Sequence, residues 1–444
     1  MYVWGLNDSD QILKREGRIL TPTQSKQISQ MEIKDVEMSS KGTIILNKSG
    51  IASIIGDLAP KPATANGSEI RTITAGVGFV AISTHCTGRH WLGLDRLGRV
   101  WSCDASTNEI RQIPNIHGII DISAGYEYSL ALDRDGKVYG WGNNKNYRVD
   151  PKAGFQIGAT SMTIFGRFDW LRVQHQFENP SKQEEIQIID PVEISDLGGL
   201  SVIKVIAGSL GGASHILTED GSVYGWGKTS DYQLGIQSED ILTRQKIEID
   251  GKVVQLSSGA EFTAALDDKG TIWTWGRKHS GRLGNSNHAG APRKIEIPES
   301  CQEGGVTTFI DVKCGALHCI AYDASGQLWS WGDNSHGQLG QEQSIIKTPQ
   351  IIGRQLFNIA GISSGSGHCG YWTAQFCRRK SNIQFITNSY QTNPVPQFGH
   401  YRLHTSTSVC SRDDPQNNSK EDSKERNYIF QLEIQGLGSP SARR

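Results

Sequence analysis

The sequence lacks the features that would mark a membrane, secreted or strongly nucleic-acid-binding protein. Of its 444 residues, 45 are Lys or Arg and 46 are Asp or Glu, so the net charge is −1. Without a basic excess we expect no strong binding to DNA or RNA. No apolar run comes near about 18 residues, so no membrane span is expected. The N-terminus shows neither a signal peptide nor an Arg-rich presequence, which indicates a cytoplasmic or nuclear protein.

Signatures of metal sites, disulfides and enzyme active sites are equally scarce. The eight cysteines form no C-x-x-C pair, so we expect reduced, mostly buried thiols and neither a metal nor another cofactor. No Walker loop, nucleotide fingerprint, nucleophile elbow or paired-carboxylate motif occurs, and no catalytic residue is predicted. These cysteines are Cys86, Cys103, Cys301, Cys314, Cys319, Cys369, Cys377 and Cys410.

Glycine, by contrast, is abundant, with 50 residues, or about 11% against a usual 7% or so. Many of the glycines belong to a recurring phrase of an apolar residue, a Trp-rich pair and Gly. Five clear copies and two weaker ones repeat with a period near 50 residues, interrupted by one large insertion. The clear copies end at Trp4-Gly5, Trp141-Gly142, Trp226-Gly227, Trp275-Gly276 and Trp331-Gly332, and the weaker ones at Ile55-Gly56 and Cys103-Asp104.

Two further phrases alternate with the first. One runs from a small residue plus Gly, through a His or aromatic three residues on, to a turn that ends in Gly. The other closes each unit with Gln-Leu-Gly or a related tripeptide. Clear copies of the phrase with the His or aromatic begin at Gly125, Gly259 and Gly315. A further copy from Ala75-Gly76 to Leu97-Gly98 would carry an insertion around Cys86, at roughly residues 79–90.

Short alternating segments separated by glycines predict small antiparallel sheets of about four strands each. Asp135-Gly136 and Asp220-Gly221 are predicted hairpin turns. Seven such sheets bury their faces when they pack radially, which predicts an all-β, seven-bladed β-propeller over 1–380 with an insertion at 150–191. Strands from 1–28 and 360–376 would share one blade and close the ring. A polar tail follows over 381–444, with a short strand at 428–434.

At these phrases the sequence resembles the regulator of chromosome condensation family of seven-bladed propellers. The family pattern V-Y-x-W-G-x-N-x-x-G-Q-L-G, joined to A-G-x-x-H-x-L-A-L-x-x-D-G, is matched best at 328–340, 313–326 and 123–142. The resemblance covers about 1–376. It implies the fold strongly and the function weakly, because members range from an exchange factor for the small GTPase Ran to an ultraviolet-B photoreceptor.

The repeated residues have two interpretations. The tryptophans could form an aromatic or photosensing cluster, but their equivalent places favour a repeated structural core, together with Gly125, Gly259 and Gly315. His318 and His368 could be ligands, yet Tyr128 and Phe262 take the same position, which favours a packed structural ring near the channel. These tryptophans are Trp4, Trp141, Trp226, Trp275 and Trp331.

The insertion carries the predicted partner site. Aromatic residues alternating with Arg are typical of binding hot spots, although they could also fold back onto the propeller. The predicted anchor residues are Phe165, Arg167, Phe168, Trp170 and Arg172. The loop around Cys86, with His85 and His90, is a weaker candidate for a metal or nucleophile site.

Two functions follow. The first is a non-catalytic protein-interaction scaffold or regulatory subunit, whose partners are proteins. The alternative is a guanine nucleotide exchange factor for a Ran-like small GTPase, in which the 150–191 insertion would act as the wedge that displaces nucleotide.

Overall fold

The structure is a computed structural model that describes residues 1–6, 18–25, 28, 31–56, 70–73, 76–87, 90–104, 110–145, 148–150, 187–208, 212–236, 241–285, 290–301, 307–353, 355–356 and 358–374. The chain divides into two units, Met1–Ile386 and Thr387–Arg444. The second unit lies outside the described residues, as does the predicted strand at 428–434.

The described residues form 28 strands. The first fourteen are β1 (Tyr2–Leu6), β2 (Arg18–Gln24), β3 (Ile33–Met38), β4 (Gly42–Asn47), β5 (Ala52–Gly56), β6 (Arg71–Thr72), β7 (Phe79–Thr84), β8 (His90–Asp95), β9 (Val100–Asp104), β10 (Ile110–Gln112), β11 (Ile119–Ala124), β12 (Tyr128–Asp133), β13 (Val138–Asn143) and β14 (Gln187–Glu193). The other fourteen are β15 (Val202–Ala207), β16 (Ala213–Thr218), β17 (Val223–Gly227), β18 (Ile241–Ile247), β19 (Val253–Ser258), β20 (Phe262–Asp267), β21 (Ile272–Gly276), β22 (Gly290–Lys294), β23 (Phe309–Cys314), β24 (His318–Asp323), β25 (Leu328–Asp333), β26 (Ile345–Ile352), β27 (Ile359–Ser364) and β28 (His368–Thr373). Short 3₁₀ turns occur at Ser195–Leu197, His279–Gly281 and Glu299–Cys301.

Within this part of the chain the strands make seven four-stranded antiparallel sheets, which confirms the predicted seven-bladed propeller. The blades are numbered 1 to 7 around the ring. Blade 1 has the order β27-β28-β1-β2 from the channel outwards, and the blades that follow are β3–β6, β7–β10, β11–β14, β15–β18, β19–β22 and β23–β26. The Trp-Gly phrase is the third strand of each blade, and the phrase with the His or aromatic spans the two inner strands.

Blade 1 closes the ring with strands from both ends of the described chain. β1 pairs with β28 in the register Tyr2↔Tyr371 and Gly5↔His368. The two tyrosine rings stack with centroids 4.8 Å apart. Closure by shared strands was expected from the order of the phrases and is confirmed. The pairing covers the inner edge of β1 and the outer edge of β28, and β2 remains the outer edge strand of the blade.

The hydrophobic core lies between blades rather than within them. One cluster joins β12 and β13 to β15, β16 and β17, and another joins β20 and β21 to β23, β24 and β25. A sheet with apolar residues on both faces is stable only when both faces are covered, and radial packing of the blades covers them. Gly136 and Gly221 adopt φ of 83° and 85° in the predicted hairpin turns, where a Cβ would be strained.

The repeat register of blade 3 differs from the prediction. The innermost strand is β7, so Thr84-His85 takes the place of Ala124-Gly125, and Ala75-Gly76 precedes the strand. The expected insertion at 79–90 is therefore wrong for residues 79–84, which form β7, and for His90, where β8 begins; a turn follows β7 at residues 86–87. In blade 4 the outer strand β14 begins at Gln187, within the predicted insertion.

Candidate functional site: the central channel and its mouth

Each innermost strand carries a β-bulge near its first residue, always at the same end of the ring. In β11, Ile119 pairs with Asp133 and Asp121 with Leu132, so the ladder passes over Ile120. The same shift occurs in the other six innermost strands. A bulge leaves its extra residue unpaired and bends the strand. The side chain of that residue is thereby released from the packing between blades.

The released residues are mostly apolar and mostly exposed. Ile120, Ile203, Val254 and Ile310 are 54%, 49%, 48% and 40% exposed. Val80 is half-buried, and Ala360 and Lys34 are exposed. These seven residues, one from each blade, stand just before the first channel-lining side chains, and we call them the mouth ring.

Beyond the mouth ring, the innermost strands enclose a cavity of about 350 Å³ in the central channel. Charged and polar side chains line it in two layers. The layers are separated by two residues along each strand, a distance of about 6.6 Å. The charged lining residues are Asp35, Glu37, Asp121, Lys204 and Lys313. Asp311 lies near enough to raise the pKa of Lys313, and we call these six residues the channel charges.

Several polar side chains of the channel also fasten neighbouring blades. Asp121 Oδ2 accepts a hydrogen bond from the backbone N–H of Val205 at 3.0 Å. Ser123 Oγ accepts from the N–H of Ala207 at 2.8 Å, and Ser83 and Ser257 make the equivalent bonds in blades 3 and 6. These bonds hold the inner strands at fixed spacing, and so they fix the width of the channel.

The turn after β7 spans the channel at the end opposite the mouth. Cys86, from blade 3, packs against Ala260 and Ala316 of blades 6 and 7. His85 is also buried, and burial lowers its pKa to about 4. Burial raises the pKa of the Cys86 thiol, which keeps it protonated and unreactive. The weaker candidate site of the sequence is thus a structural plug in this fold.

The His and aromatic positions lie buried between blades. Tyr128 Oη donates to the Ala213 carbonyl at 3.1 Å and lies 2.9 Å from Ser214 Oγ in the next blade. His318 Nε2 lies 2.8 Å from Ser364 Oγ, also one blade on. Burial lowers the pKa of His318 to about 3, so the ring is neutral. Both contacts hold neighbouring blades together.

The glycines of the same phrase lie under these rings. A Cβ on Gly125 would stand 2.6 Å from Tyr128 Cε1 and 2.8 Å from the Gly208 carbonyl of the next blade. Gly259 and Gly315 are covered in the same way by Phe262 and His318. The spacing of three residues between Gly and ring follows from this contact.

The repeated tryptophans are buried, and four of them donate a hydrogen bond to the preceding blade. Trp226 Nε1 donates to the carbonyl of Arg148 at 3.1 Å, in the loop that follows the third strand of blade 4. Trp275 and Trp331 bond to Gln233 and Arg282 at equivalent places. Trp4 bonds to Gln338, and Trp141 is buried without an equivalent bond among the described residues.

The loop end of the ring opposite the mouth carries charged side chains. Arg148 is buried and its Nη2 lies 3.4 Å from Glu127 Oε2, while Arg277 Nη1 lies 2.7 Å from Glu261 Oε2. The insertion leaves the propeller at this end, after Asp150. Its predicted anchor residues, Phe165, Arg167, Phe168, Trp170 and Arg172, lie outside the described residues.

Neither the mouth ring nor the channel charges were predicted from the motifs of the sequence. A signal was nevertheless present, because two successive apolar residues precede a polar one where a strand should alternate. It recurs as Ile119-Ile120-Asp121, Val202-Ile203-Lys204, Val253-Val254-Gln255 and Phe309-Ile310-Asp311. A break in alternation at one repeat position indicates a bulge.

In the described residues, no group of three or more His, Cys, Asp or Glu side chains could hold a metal ion. No helix among them is long and apolar enough to cross a membrane.

Two family models match the sequence, both described as a regulator of chromosome condensation (RCC1) repeat. One matches residues 119–148, 253–282 and 309–338, and the other 220–266, 269–322 and 325–372. The human E3 ubiquitin-protein ligase HERC2 is 29% identical over an alignment of 402 positions that covers 84% of this chain. The chain spans only 8% of the length of that ligase.

Solved structures share the fold at low identity. Human WBSCR16 is 18% identical with a TM-score of 0.65, over 84% of this chain and 99% of that one. Prp20p from Saccharomyces cerevisiae, described with its binding properties to Gsp1p and histones, is 15% identical with a TM-score of 0.65, over 85% of this chain and 92% of that one.

Proposed function

We propose that this chain, which belongs to the regulator of chromosome condensation (RCC1) repeat family, is a non-catalytic protein-interaction scaffold or regulatory subunit whose partner docks on the mouth ring. Family membership gives the fold but not the role, because one fold carries exchange factors and other regulators. The role therefore has to be argued from the surface.

The observation that carries the proposal is the mouth ring itself. Exposed Ile or Val recurs at one position in four successive blades, from Ile120 to Ile310. Scattered exposed apolar residues need no explanation, but a contiguous set around one opening marks an interaction site. A protein partner would remove this apolar surface from water. We expect such a partner in the nucleus or the cytoplasm.

The experiment compares partner recovery by variants of the full chain. The double substitution Ile120→Ser/Ile310→Ser should abolish recovery of specific partners by quantitative affinity purification. Ile236→Ser changes a residue that is 44% exposed in the loop after β17, at the other end of the ring, and should leave recovery unchanged. Equal recovery by the wild type and the double variant would contradict docking at the mouth.

The insertion provides a separate contact in this proposal. Trp170→Ala/Arg172→Ala tests the predicted anchor, and we expect reduced partner recovery from it. Combined with the mouth variant, it shows whether one partner uses both ends of the ring or two partners use one each. Unchanged recovery by the Trp170→Ala/Arg172→Ala variant would remove the insertion from the binding surface.

A guanine nucleotide exchange factor is the second candidate. One support is the position of the insertion, which starts at a face of the ring, next to the Arg148–Glu127 ion pair. The other is the fold shared with Prp20p, which is described with binding to Gsp1p. A stopped-flow assay of nucleotide release from a panel of small GTPases tests it. Acceleration that is lost when 151–186 is replaced by a short linker would support exchange, and no acceleration at micromolar protein would contradict it.

A further inference from the structure

The cavity lies between the mouth ring and the His85-Cys86 turn, which crosses the channel at the opposite end. A partner segment that covers the mouth ring must therefore either leave this polar cavity filled with water or send a side chain into it. The charges that line the cavity indicate which side chain fits.

Carboxylates outnumber ammonium groups in the cavity. The channel charges comprise four acids and two lysines. Lys34, at the mouth, directs its ammonium to the carbonyl of Val80 at 2.6 Å. His85 is neutral, because burial lowers its pKa. When their four carboxyl groups are ionised, the channel charges carry a net charge of −2 (four negative and two positive charges), which favours a cation over an anion.

The charges of the cavity are also incompletely paired. Within the part of the chain that the structure describes, Glu37, Lys204 and Lys313 have no hydrogen-bonding or ion-pair partner within 4.0 Å. Asp35 accepts only from the N–H of Val36, its own neighbour in the chain, at 2.9 Å. These side chains are half-buried in the channel wall, so water or a side chain of a partner can reach them.

Burial also shifts the pKa of three of these carboxyl groups. Burial raises the pKa of Glu37 to about 8, although Lys313 opposes the shift, and burial also raises the pKa of Asp35 and of Asp121. An incoming cation would replace the proton on Glu37. Binding would then be coupled to the release of a proton.

We infer that the mouth ring and the channel charges together receive a protein segment in which an arginine or lysine side chain, flanked by apolar residues, enters the channel. The apolar neighbours cover the mouth ring, and the cation reaches the two layers of carboxylates. This inference rests on the proposed function, because it specifies what the partner presents at the mouth. Guanidinium suits the site best, since its five donors can satisfy several oxygens at once.

The test uses fluorescein-labelled heptapeptides with two apolar residues on each side of a central arginine. Matched peptides carry citrulline, glutamate or leucine at the centre. Fluorescence polarisation with the full chain should show the arginine peptide binding at least tenfold more tightly than the citrulline peptide, which has the same shape but no charge. Equal binding of the two, tighter binding of the glutamate peptide, or no binding of any peptide would overturn the inference.

Substitutions in the channel identify the groups involved. Glu37→Gln and Asp35→Asn should each weaken arginine-peptide binding at least fivefold and leave citrulline-peptide binding unchanged. Asp268→Asn, in an exposed hairpin turn at the mouth end, is the matched control and should have no effect. Far-ultraviolet circular dichroism and urea unfolding check that each variant is folded. Wild-type affinity in all channel variants would exclude the cavity.

The pH dependence separates a binding role from a structural one. Glu37 faces Lys313, Asp35, Lys204 and Asp311, and these groups together determine its proton affinity. Affinity for the arginine peptide should increase from pH 6.5 towards pH 8.5 in the wild type and lose most of that slope in Glu37→Gln. The same slope in both proteins would contradict a role for Glu37.

The two proposals fail in different ways. If Ile120→Ser/Ile310→Ser abolishes partner recovery but the arginine and citrulline peptides bind equally, the mouth ring is a docking surface and the cation inference is wrong. If the double variant also recovers every partner, both are wrong.

Discussion

Trp4 Nε1 donates a hydrogen bond of 2.8 Å to the main-chain carbonyl of Gln338, which lies 334 positions further along the chain. The bond joins the third strand of blade 1 to the loop of blade 7, and so it repeats across the ring closure the contact that Trp226 makes between blades 4 and 5. Blade 1 is thus fastened by the same joint as the continuous blades.

Replacing this tryptophan tests the joint. Trp4→Phe keeps an aromatic ring but leaves the Gln338 carbonyl unpaired, so we expect a loss of about 1–3 kcal/mol in the free energy of unfolding, measured with urea. Trp226→Phe should cost a similar amount because it removes the same bond. Wild-type stability of Trp4→Phe would show that the bond does not contribute to closure.

Deleting residues 1–28 removes β1 and β2 and leaves β28 as an exposed edge. We expect cooperative loss of the propeller, because core residues of blades 7 and 1, including Trp4, Ile320 and Ile362, form one cluster. Circular dichroism and thermal melting measure it. An unchanged spectrum and melting profile would contradict the closing role of these strands.

Gly315→Ala should be strongly destabilising, by several kcal/mol, because the added methyl would overlap the His318 ring and the Gly365 carbonyl of the neighbouring blade. Gly198→Ala is the matched control, since no atom lies within 4 Å of the Cβ position there. Urea unfolding of both variants measures the difference. Similar stabilities would mean that the ring can move aside at low cost.

Asp95 stabilises a hairpin turn through its charge. Burial opposes ionisation, but hydrogen bonds from Arg99, Trp101 and Leu97 prevail and hold the pKa of Asp95 below its usual value. Its contribution is therefore present above the unfolded-state pKa and is lost as pH falls through the folded-state pKa. Urea unfolding of Asp95→Asn should show lower stability than the wild type at pH 6, with the gap shrinking in the acid range. A gap that does not change with pH would contradict the charge effect.

Glu37 has the opposite effect on stability. Its pKa is raised from 4.5 to about 8, so the folded chain retains a proton that the unfolded chain releases. This contribution is fully present below pH 4.5 or so and is lost as pH rises towards about 8. Glu37→Gln should therefore be more stable than the wild type at pH 9, with the advantage disappearing near pH 5, as measured by urea unfolding. No pH-dependent difference would contradict the shift.

The architecture was predictable because every blade uses the same residue types to make the same packing contacts. A Trp before Gly, a Gly three residues before an aromatic and a Gly at a hairpin each mark a fixed contact, and their period gives the number of blades. The register of blade 3 was predicted wrongly because His85 replaces the glycine of the phrase. The plug formed by His85 and Cys86 depends on contacts with blades 6 and 7 that no local pattern specifies.

The candidate site was not predicted, because its members are far apart in sequence and different in kind. Asp35, Asp121 and Asp311 share a layer of the channel only after the ring has closed. Each looks like an ordinary polar residue of a strand when its own segment is considered. The predicted anchor around Trp170 remains a prediction.

The pairing of β1 with β28 has a consequence for biosynthesis. β1 leaves the ribosome before the other strands, and its inner neighbour follows only after more than 360 further residues. At about 5–20 residues per second, that wait lasts on the order of twenty seconds or longer. Throughout it a strand of apolar and aromatic residues has an unsatisfied edge, as aggregation-prone nascent chains do. The chain should therefore depend on cotranslational chaperones for the first of its strands, although the middle blades can already be assembled.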